Sequence, residues 1–79
     1  MQKTEIYKKL TEILIENLDD SDILISEITT AKDIEKWDSI NHITIMISIE
    51  IEFQIKFTGY EIENVNNVGE LVDLISTKI

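Results

Sequence analysis

Apolar residues recur at helical spacing near both ends of the chain. In the first segment, residues 4–18, they lie three or four positions apart, at Ile6, Leu10, Ile13, Leu14 and Leu18. Charged residues occupy much of the remaining surface of that segment. Near the other end, Asn67 precedes a second apolar stripe, formed by Val68, Leu71, Val72 and Ile75. Both segments are predicted to be amphipathic helices, the second with Asn67 as its N-cap.

The middle of the chain supports two interpretations. Every odd-numbered residue from 43 to 57 is apolar, and most are isoleucine. Such alternation of β-branched residues is typical of a half-buried strand. Three features favour a helix instead: the length exceeds the ~3–10 residues of most strands, Met46 interrupts the polar side, and polar residues recur at helical spacing. Those polar residues are Asn41, Thr44, Ser48 and Glu52. From these residues alone, helix and strand are about equally supported.

Two connecting segments carry weaker signals. After an acidic break at residues 19–22, the connection up to Lys36 contains several apolar residues, which are Ile23, Leu24, Ile25, Ile28 and Ile34. These are too many to be left in solvent, so we expect an ordered loop packed over the helices, with room for a helical turn. Further along, Thr58 and Glu61 have the spacing of a capping box, which predicts a short helix near residues 60–64.

Composition narrows the classes of function. The 79 residues are enough for one small domain, residues 1–79. Cysteine is absent, which excludes disulfides, thiolate metal sites and a cysteine nucleophile. A lone histidine, His42, without a convincing nucleophile–base pair argues against an enzyme. The acidic residues at 19, 20 and 22 lack the spacing of an EF-hand, so no metal site is expected.

The net charge points to the kind of partner. Sixteen acidic residues against seven basic ones give a formal charge of −9, which disfavours nucleic acid and anionic membranes and favours basic protein surfaces. No apolar stretch reaches the ~18 residues of a membrane span, and no signal-peptide pattern opens the sequence. We therefore expect a cytoplasmic protein that neither binds nucleic acid nor inserts into a membrane, and we expect it to be a monomer.

The candidate chemistry lies in the tetrapeptide Trp37-Asp38-Ser39-Ile40. Asp38 suits a helix N-cap, because its carboxylate can accept hydrogen bonds from the first turn. Ser39 then occupies the first helical position, with its hydroxyl beside the positive end of the helix dipole, where a phosphodiester is electrostatically favoured. Trp37 and His42 occupy the two positions of a hydrophobic staple. Alone, Asp-Ser-aliphatic is a common helix start and identifies no function.

In its context, this tetrapeptide resembles the acyl and peptidyl carrier proteins. Residues 37–43 are similar to the family's serine motif, residues 49–55 to its Glu-x-Glu-Phe-x-Ile helix ending, and residues 66–75 to the start of its last helix. The resemblance covers essentially the whole chain. It implies a helix over residues 38–53, and hence an all-α four-helix bundle with a short third helix and a long loop between the first two helices.

The resemblance also implies a role for individual residues. Ser39 would carry 4′-phosphopantetheine, and Asp38 would be both the helix cap and part of what a phosphopantetheinyl transferase recognises. The chain would then hold acyl or aminoacyl groups as thioesters for loading and transfer enzymes with basic docking surfaces. Glu50 matches an acid in the family's partner-facing helix, and Ile40 and Met46 are the expected apolar contacts beside it.

Departures from the fatty-acid branch of the family bear on the pathway. Acids usual two and five residues after the serine are here Asn41 and Thr44, and Ile51 replaces another acid. Trp37 and His42 are more similar to discrete carriers of specialised metabolism, such as polyketide, nonribosomal peptide or glycan-modifying systems. Housekeeping fatty acid synthesis is the alternative within this class. An unmodified helical interaction module is the alternative from another class.

Overall fold

Four helices account for most of the chain in the computed structural model, which describes residues 1–79. They are α1 (Lys3–Leu18), α2 (Ser39–Phe53), α3 (Gly59–Glu63) and α4 (Val68–Lys78), with a 3₁₀ turn at Ala31–Asp33. There is no strand. The predicted all-α architecture is confirmed, including the short third helix, the long first loop and the helical turn within that loop. None of the helices combines the length and apolar character needed to cross a membrane.

The strand-like sequence of the middle segment is folded as a helix. The buried residues of α2 follow helical spacing, at Ile45, Met46, Ile49 and Phe53. The other isoleucines of the alternation that lie within α2 are exposed, Ile43 and Ile47 by 48% and Ile51 by 74%. The strand interpretation is therefore wrong, and the alternation reflects how often isoleucine is used on every side of this helix.

One cluster of 16 buried hydrophobic residues forms the core. α1 packs against both α2 and α4, and it buries the predicted stripe of Ile6, Leu10, Ile13, Leu14 and Leu18. α4 buries its predicted stripe of Val68, Leu71, Val72 and Ile75. No buried side chain is polar or charged, so hydrophobic burial is what holds the three longer helices together.

The loop between α1 and α2 is packed less completely than its sequence predicts. Ile23 is buried, and Ile25 and Ile34 are partly buried against the core. Leu24 and Ile28, however, are 89% and 77% exposed. The expected ordered loop packed over the helices is present, but these two side chains do not contribute to its packing. Leu24 lies between the inward-facing Ile23 and Ile25, as alternate residues of an extended segment do, and Ile28 lies in a turn.

Backbone hydrogen bonds attach this loop to the start of α4. The N–H of Val68 donates to the Thr29 carbonyl at 2.8 Å, and the N–H of Gly69 donates to the Glu27 carbonyl at 2.9 Å. They satisfy donors that a helix N-terminus otherwise leaves free. The approach is close: a Cβ at Gly69 would lie 2.8 Å from the Glu27 carbonyl oxygen. Glycine is required at position 69 because a larger side chain would clash with Glu27, and not because of its backbone conformation.

The predicted helix caps are present. The Asp38 side chain accepts from the N–H of Asn41, and Asn67 caps α4 by accepting from the N–H of Glu70. Thr58, the N-cap of α3, forms the reciprocal capping box with its third helical residue. These local bonds fix where α2, α3 and α4 begin, and so they fix the surroundings of Ser39.

Candidate functional site

Ser39 is the first residue of α2, and it is exposed. The Asp38 carboxylate accepts the N–H of Asn41 at 2.8 Å, which holds the chain at the entry to the helix. The Asn41 amide strengthens this entry by donating to the carbonyl of Lys36 at 2.8 Å. The serine hydroxyl is thereby presented to solvent at a helix N-terminus, where N–H groups and the dipole favour a phosphate ester.

Trp37 and His42 form the predicted staple, joined by a hydrogen bond. The indole Nε1–H donates to Nδ1 of His42 at 3.0 Å, and the two rings stack with centroids 6.0 Å apart and planes at 26°. Nε2 of His42 lies 2.8 Å from the Ile62 carbonyl oxygen. An indole N–H can only donate and a carbonyl can only accept, so these contacts assign Nδ1 as the acceptor and Nε2–H as the donor.

The hydrogen bond from His42 to Ile62 links the start of α2 to α3. This link could not be predicted from the sequence, because the acceptor is a backbone carbonyl twenty residues away. The only signal for it was a lone histidine on the side of α2 that faces the core. The staple prediction is confirmed, and the histidine has a second structural contact that the staple does not imply.

A groove of about 320 Å³ opens beside Ser39. Its lining residues come from the loop, the start of α2 and α3, and they are Ala31, Trp37, Asp38, Ser39, His42, Ile43, Ile62 and Glu63. Half of the lining residues are apolar, and both Trp37 and His42 contribute to the lining. An apolar group attached near Ser39 could therefore leave water for this groove without any rearrangement of the helices.

A row of exposed isoleucines runs along α2 from the Ser39 end. Ile40 is 78% exposed, Ile43 and Ile47 48%, and Ile51 74%, and intervals of three and four residues place them on one stripe. Met46 is not part of it. The expectation that Met46 contacts partners is wrong, because its side chain is fully buried in the core; the neighbouring Ile47 occupies the exposed face instead.

Both acids near the end of α2 have partners within the chain. A carboxylate oxygen of Glu50 accepts the N–H of Phe57 at 2.7 Å, which orders the segment that follows the helix. Glu52 lies 3.8 Å from the ammonium group of Lys9. Glu50 and Ile51 also line a second groove, of about 600 Å³, at the end of α2. Glu50 is thus a structural residue as well as a candidate for docking.

The shifted side-chain pKa values have local structural causes. The pKa of Glu61 is lowered, first by the N–H of Thr58 and then by Lys78, whose ammonium group lies 3.0 Å from the carboxylate. The pKa of Tyr7 is raised, mainly by burial.

No group of three or more His, Cys, Asp or Glu side chains is arranged to hold a metal ion. The site is therefore an exposed serine beside an apolar groove.

Known proteins are similar to the chain over most of its length, although no protein-family model matches it. The acyl carrier protein of a Picosynechococcus strain is 31% identical over 75 residues, which are 94% of this chain and 91% of that protein. The solution NMR structure of the holo acyl carrier protein from Geobacter metallireducens has 38% identity and a TM-score of 0.84. That similarity covers 91% of this chain and 83% of the other.

Proposed function

Because the chain belongs to the acyl carrier protein family, we propose that it holds acyl groups as thioesters on a 4′-phosphopantetheine arm at Ser39. Members of this family are carriers rather than enzymes. The observation that supports this role is the exposed serine at the Asp38-capped start of α2, beside an apolar groove. The similar Geobacter structure is that of a holo carrier protein.

The residues around Ser39 suit such an arm. The serine is exposed, so its Oγ can attack the pyrophosphate of coenzyme A in the active site of a phosphopantetheinyl transferase. An O–P bond to Ser39 forms, the pyrophosphate P–O bond breaks, the adenosine bisphosphate leaves and the hydroxyl proton passes to the transferase. The arm would supply a terminal thiol, which a chain without cysteine lacks.

We propose that the transferase and the acyl- or aminoacyl-loading enzymes dock along the isoleucine row of α2, beginning at Ile40. The exposure of these side chains supports this surface, with Ile47 in place of the buried Met46. The net charge of −9 favours partners with basic docking surfaces, and Glu50 stands beside the row. Tethering of the cargo raises its effective concentration at each partner enzyme.

We propose a cytoplasmic monomer of a single domain.

We further propose that the pathway belongs to specialised metabolism, with fatty acid synthesis as the alternative. Two positions where the fatty-acid branch has acids support this proposal, because neither carries a charge here. Asn41 uses its amide N–H to bind the Lys36 carbonyl, a donor that an ionised aspartate lacks. Ile51 is 74% exposed and extends the apolar row. The docking surface is therefore less acidic than that of the fatty-acid branch.

The attachment site can be tested by co-expression with a broad-specificity phosphopantetheinyl transferase. The wild-type chain should gain the mass of one phosphopantetheinyl group, and Ser39→Ala should gain none while keeping its helical circular dichroism. Ser21→Ala removes another exposed serine, and it should be modified like the wild type. An unmodified wild-type chain, or a modified Ser39→Ala variant, would refute the assignment; the first result would favour an unmodified interaction module.

A further inference from the structure

His42 stands where the groove beside Ser39 meets the hydrophobic core. It lines the groove, and it precedes Met46 by four residues, so the two side chains lie on the same side of α2. Met46 continues into the buried stripe of this helix and is fully buried. Trp37 also lines the groove and belongs to the buried core cluster, so the Trp37–His42 pair stands between an apolar groove on the surface and an apolar interior.

The imidazole is fixed in that position by both of its nitrogens. Nδ1 accepts from the Trp37 indole at 3.0 Å, and Nε2 donates to the Ile62 carbonyl at 2.8 Å. Moving the ring aside would break both hydrogen bonds and leave an indole N–H that is largely shielded from water, since Trp37 is only 7% exposed. An aliphatic side chain at this position could change rotamer at much lower cost.

The hydrogen bond between His42 and the Ile62 carbonyl also holds α3 close to α2. α3 has five residues and none of them is buried, so packing alone holds it weakly. Its long-range polar bonds are the one that Nε2–H of His42 donates to the Ile62 carbonyl and the Glu61–Lys78 ion pair at 3.0 Å. Loss of the imidazole would both remove the barrier to the core and free α3 to move away from the groove.

We infer that the Trp37–His42 pair closes the groove against the core and thereby limits the aliphatic cargo that this carrier shields from water. The groove takes the first part of an acyl chain, and the rest of a longer chain stays in solvent. The inference rests on the proposed function, since it requires a thioester carried on Ser39. It makes Trp37 and His42 determinants of cargo specificity.

The test compares two acyl lengths on the wild type and on His42→Ala, with the helical circular dichroism of each protein checked. A broad-specificity transferase loads the hexanoyl and dodecanoyl arms from their coenzyme A thioesters, and the rate of cleavage by neutral hydroxylamine reports how exposed each thioester is. On the wild type, both lengths should react at the same rate. On His42→Ala, the dodecanoyl form should react several-fold more slowly, because each methylene that becomes buried favours the shielded state roughly fourfold.

Two further variants separate the hydrogen bonds from the bulk of the ring. His42→Gln keeps a donor and an acceptor, and it should behave like the wild type. Trp37→Phe keeps an aromatic ring but loses the donor, and it should slow cleavage of the dodecanoyl form less than His42→Ala does. If His42→Ala does not fold, Trp37→Phe decides the question. Thr44→Ala changes an exposed residue outside the groove, and it should show no dependence on chain length.

The emission of Trp37, the only tryptophan of the chain, provides a second readout that does not depend on thioester chemistry. It should be the same for the hexanoyl and dodecanoyl forms of the wild type, and it should differ between them in His42→Ala. If the dodecanoyl thioester is protected on the wild type as strongly as on His42→Ala, the inference is overturned. The proposed carrier function would not be affected by that result. Failure to load either arm on the wild type would instead overturn the proposed function.

Discussion

The two faces of α2 use the same residue type for different purposes. Ile45 and Ile49 are completely buried against the other helices, whereas Ile40 and Ile51 are largely in solvent. Hydrophobicity along the sequence does not distinguish the two sets, since all four residues are isoleucine. What distinguishes them is their angle around the helix axis. On one face isoleucine supplies stability, and on the other it leaves an apolar row that begins beside Ser39.

The largest effect is expected from truncation on the buried face. Ile49→Ala should lower the free energy of unfolding by ~2–5 kcal/mol, because it leaves a cavity in the core. The measurement is urea denaturation followed by circular dichroism. Ile51→Ala is the matched control on the exposed face, and it should change that free energy by less than ~0.5 kcal/mol. Equal losses for the two variants would show that the faces are not distinct.

Truncation on the exposed face should affect recognition instead. Ile47→Ala should lower kcat/KM for modification by a phosphopantetheinyl transferase by roughly fivefold, the equivalent of ~1 kcal/mol of lost contact. Its stability should be unchanged. Thr44→Ala, an exposed position between the isoleucines, should keep the wild-type rate. A normal rate for Ile47→Ala would argue that docking does not use the isoleucine row.

Adding acids to the exposed face should produce a smaller change, of opposite sign. Thr44→Glu combined with Ile51→Glu gives this face acids that the fatty-acid branch has, at exposed positions. Malonyl loading by a fatty-acid synthase transacylase should become about two- to threefold faster, because added charge mainly improves steering and register. Fast, equal loading of wild type and variant would mean that these departures carry no information about the pathway, and fatty acid synthesis would then be the better assignment.

The smallest effect is expected at the edge of the exposed face. Glu50→Gln keeps an oxygen that can accept the N–H of Phe57, so its stability should stay within ~0.5 kcal/mol of the wild type. Modification by the transferase should slow by less than about twofold, and its dependence on salt should weaken, because exposed charges are screened over ~10 Å at 0.1 M. A large loss of rate with Glu50→Gln would make charge, rather than the isoleucine row, the main contact.

Local patterns predicted most of the fold. The caps at Asp38, Thr58 and Asn67 depend on residues within one helical turn, and the stripes of α1 and α4 repeat regularly, so sequence alone located them. The buried and exposed faces of α2 were harder to predict, because isoleucine occurs on all sides of this helix. Successive residues lie about 100° apart around the axis, so an error of one position exchanges a buried side chain for an exposed one. That is why Met46, and not Ile47, was expected on the surface.

Contacts distant in sequence could not be predicted. The hydrogen bond between His42 and the Ile62 carbonyl depends on how α3 packs against α2. The exposure of Leu24 and Ile28 depends on how the loop packs on the helices. No spacing rule identifies a backbone carbonyl as the partner of a particular side chain. The candidate attachment site was accessible to sequence analysis through Asp38 and Ser39, whereas the groove beside it depends on tertiary packing.

The bonds between the α1–α2 loop and the start of α4 have a consequence for the order of folding. Thr29 and Glu27 accept from Val68 and Gly69, so these partners meet only after the intervening chain, which includes α2 and α3, has been brought together. Such long-range closure is entropically costly and slows folding. The loop should therefore become ordered late, together with the docking of α4. In native-state hydrogen exchange, the amides of Val68 and Gly69 should open as one cooperative unit with that loop.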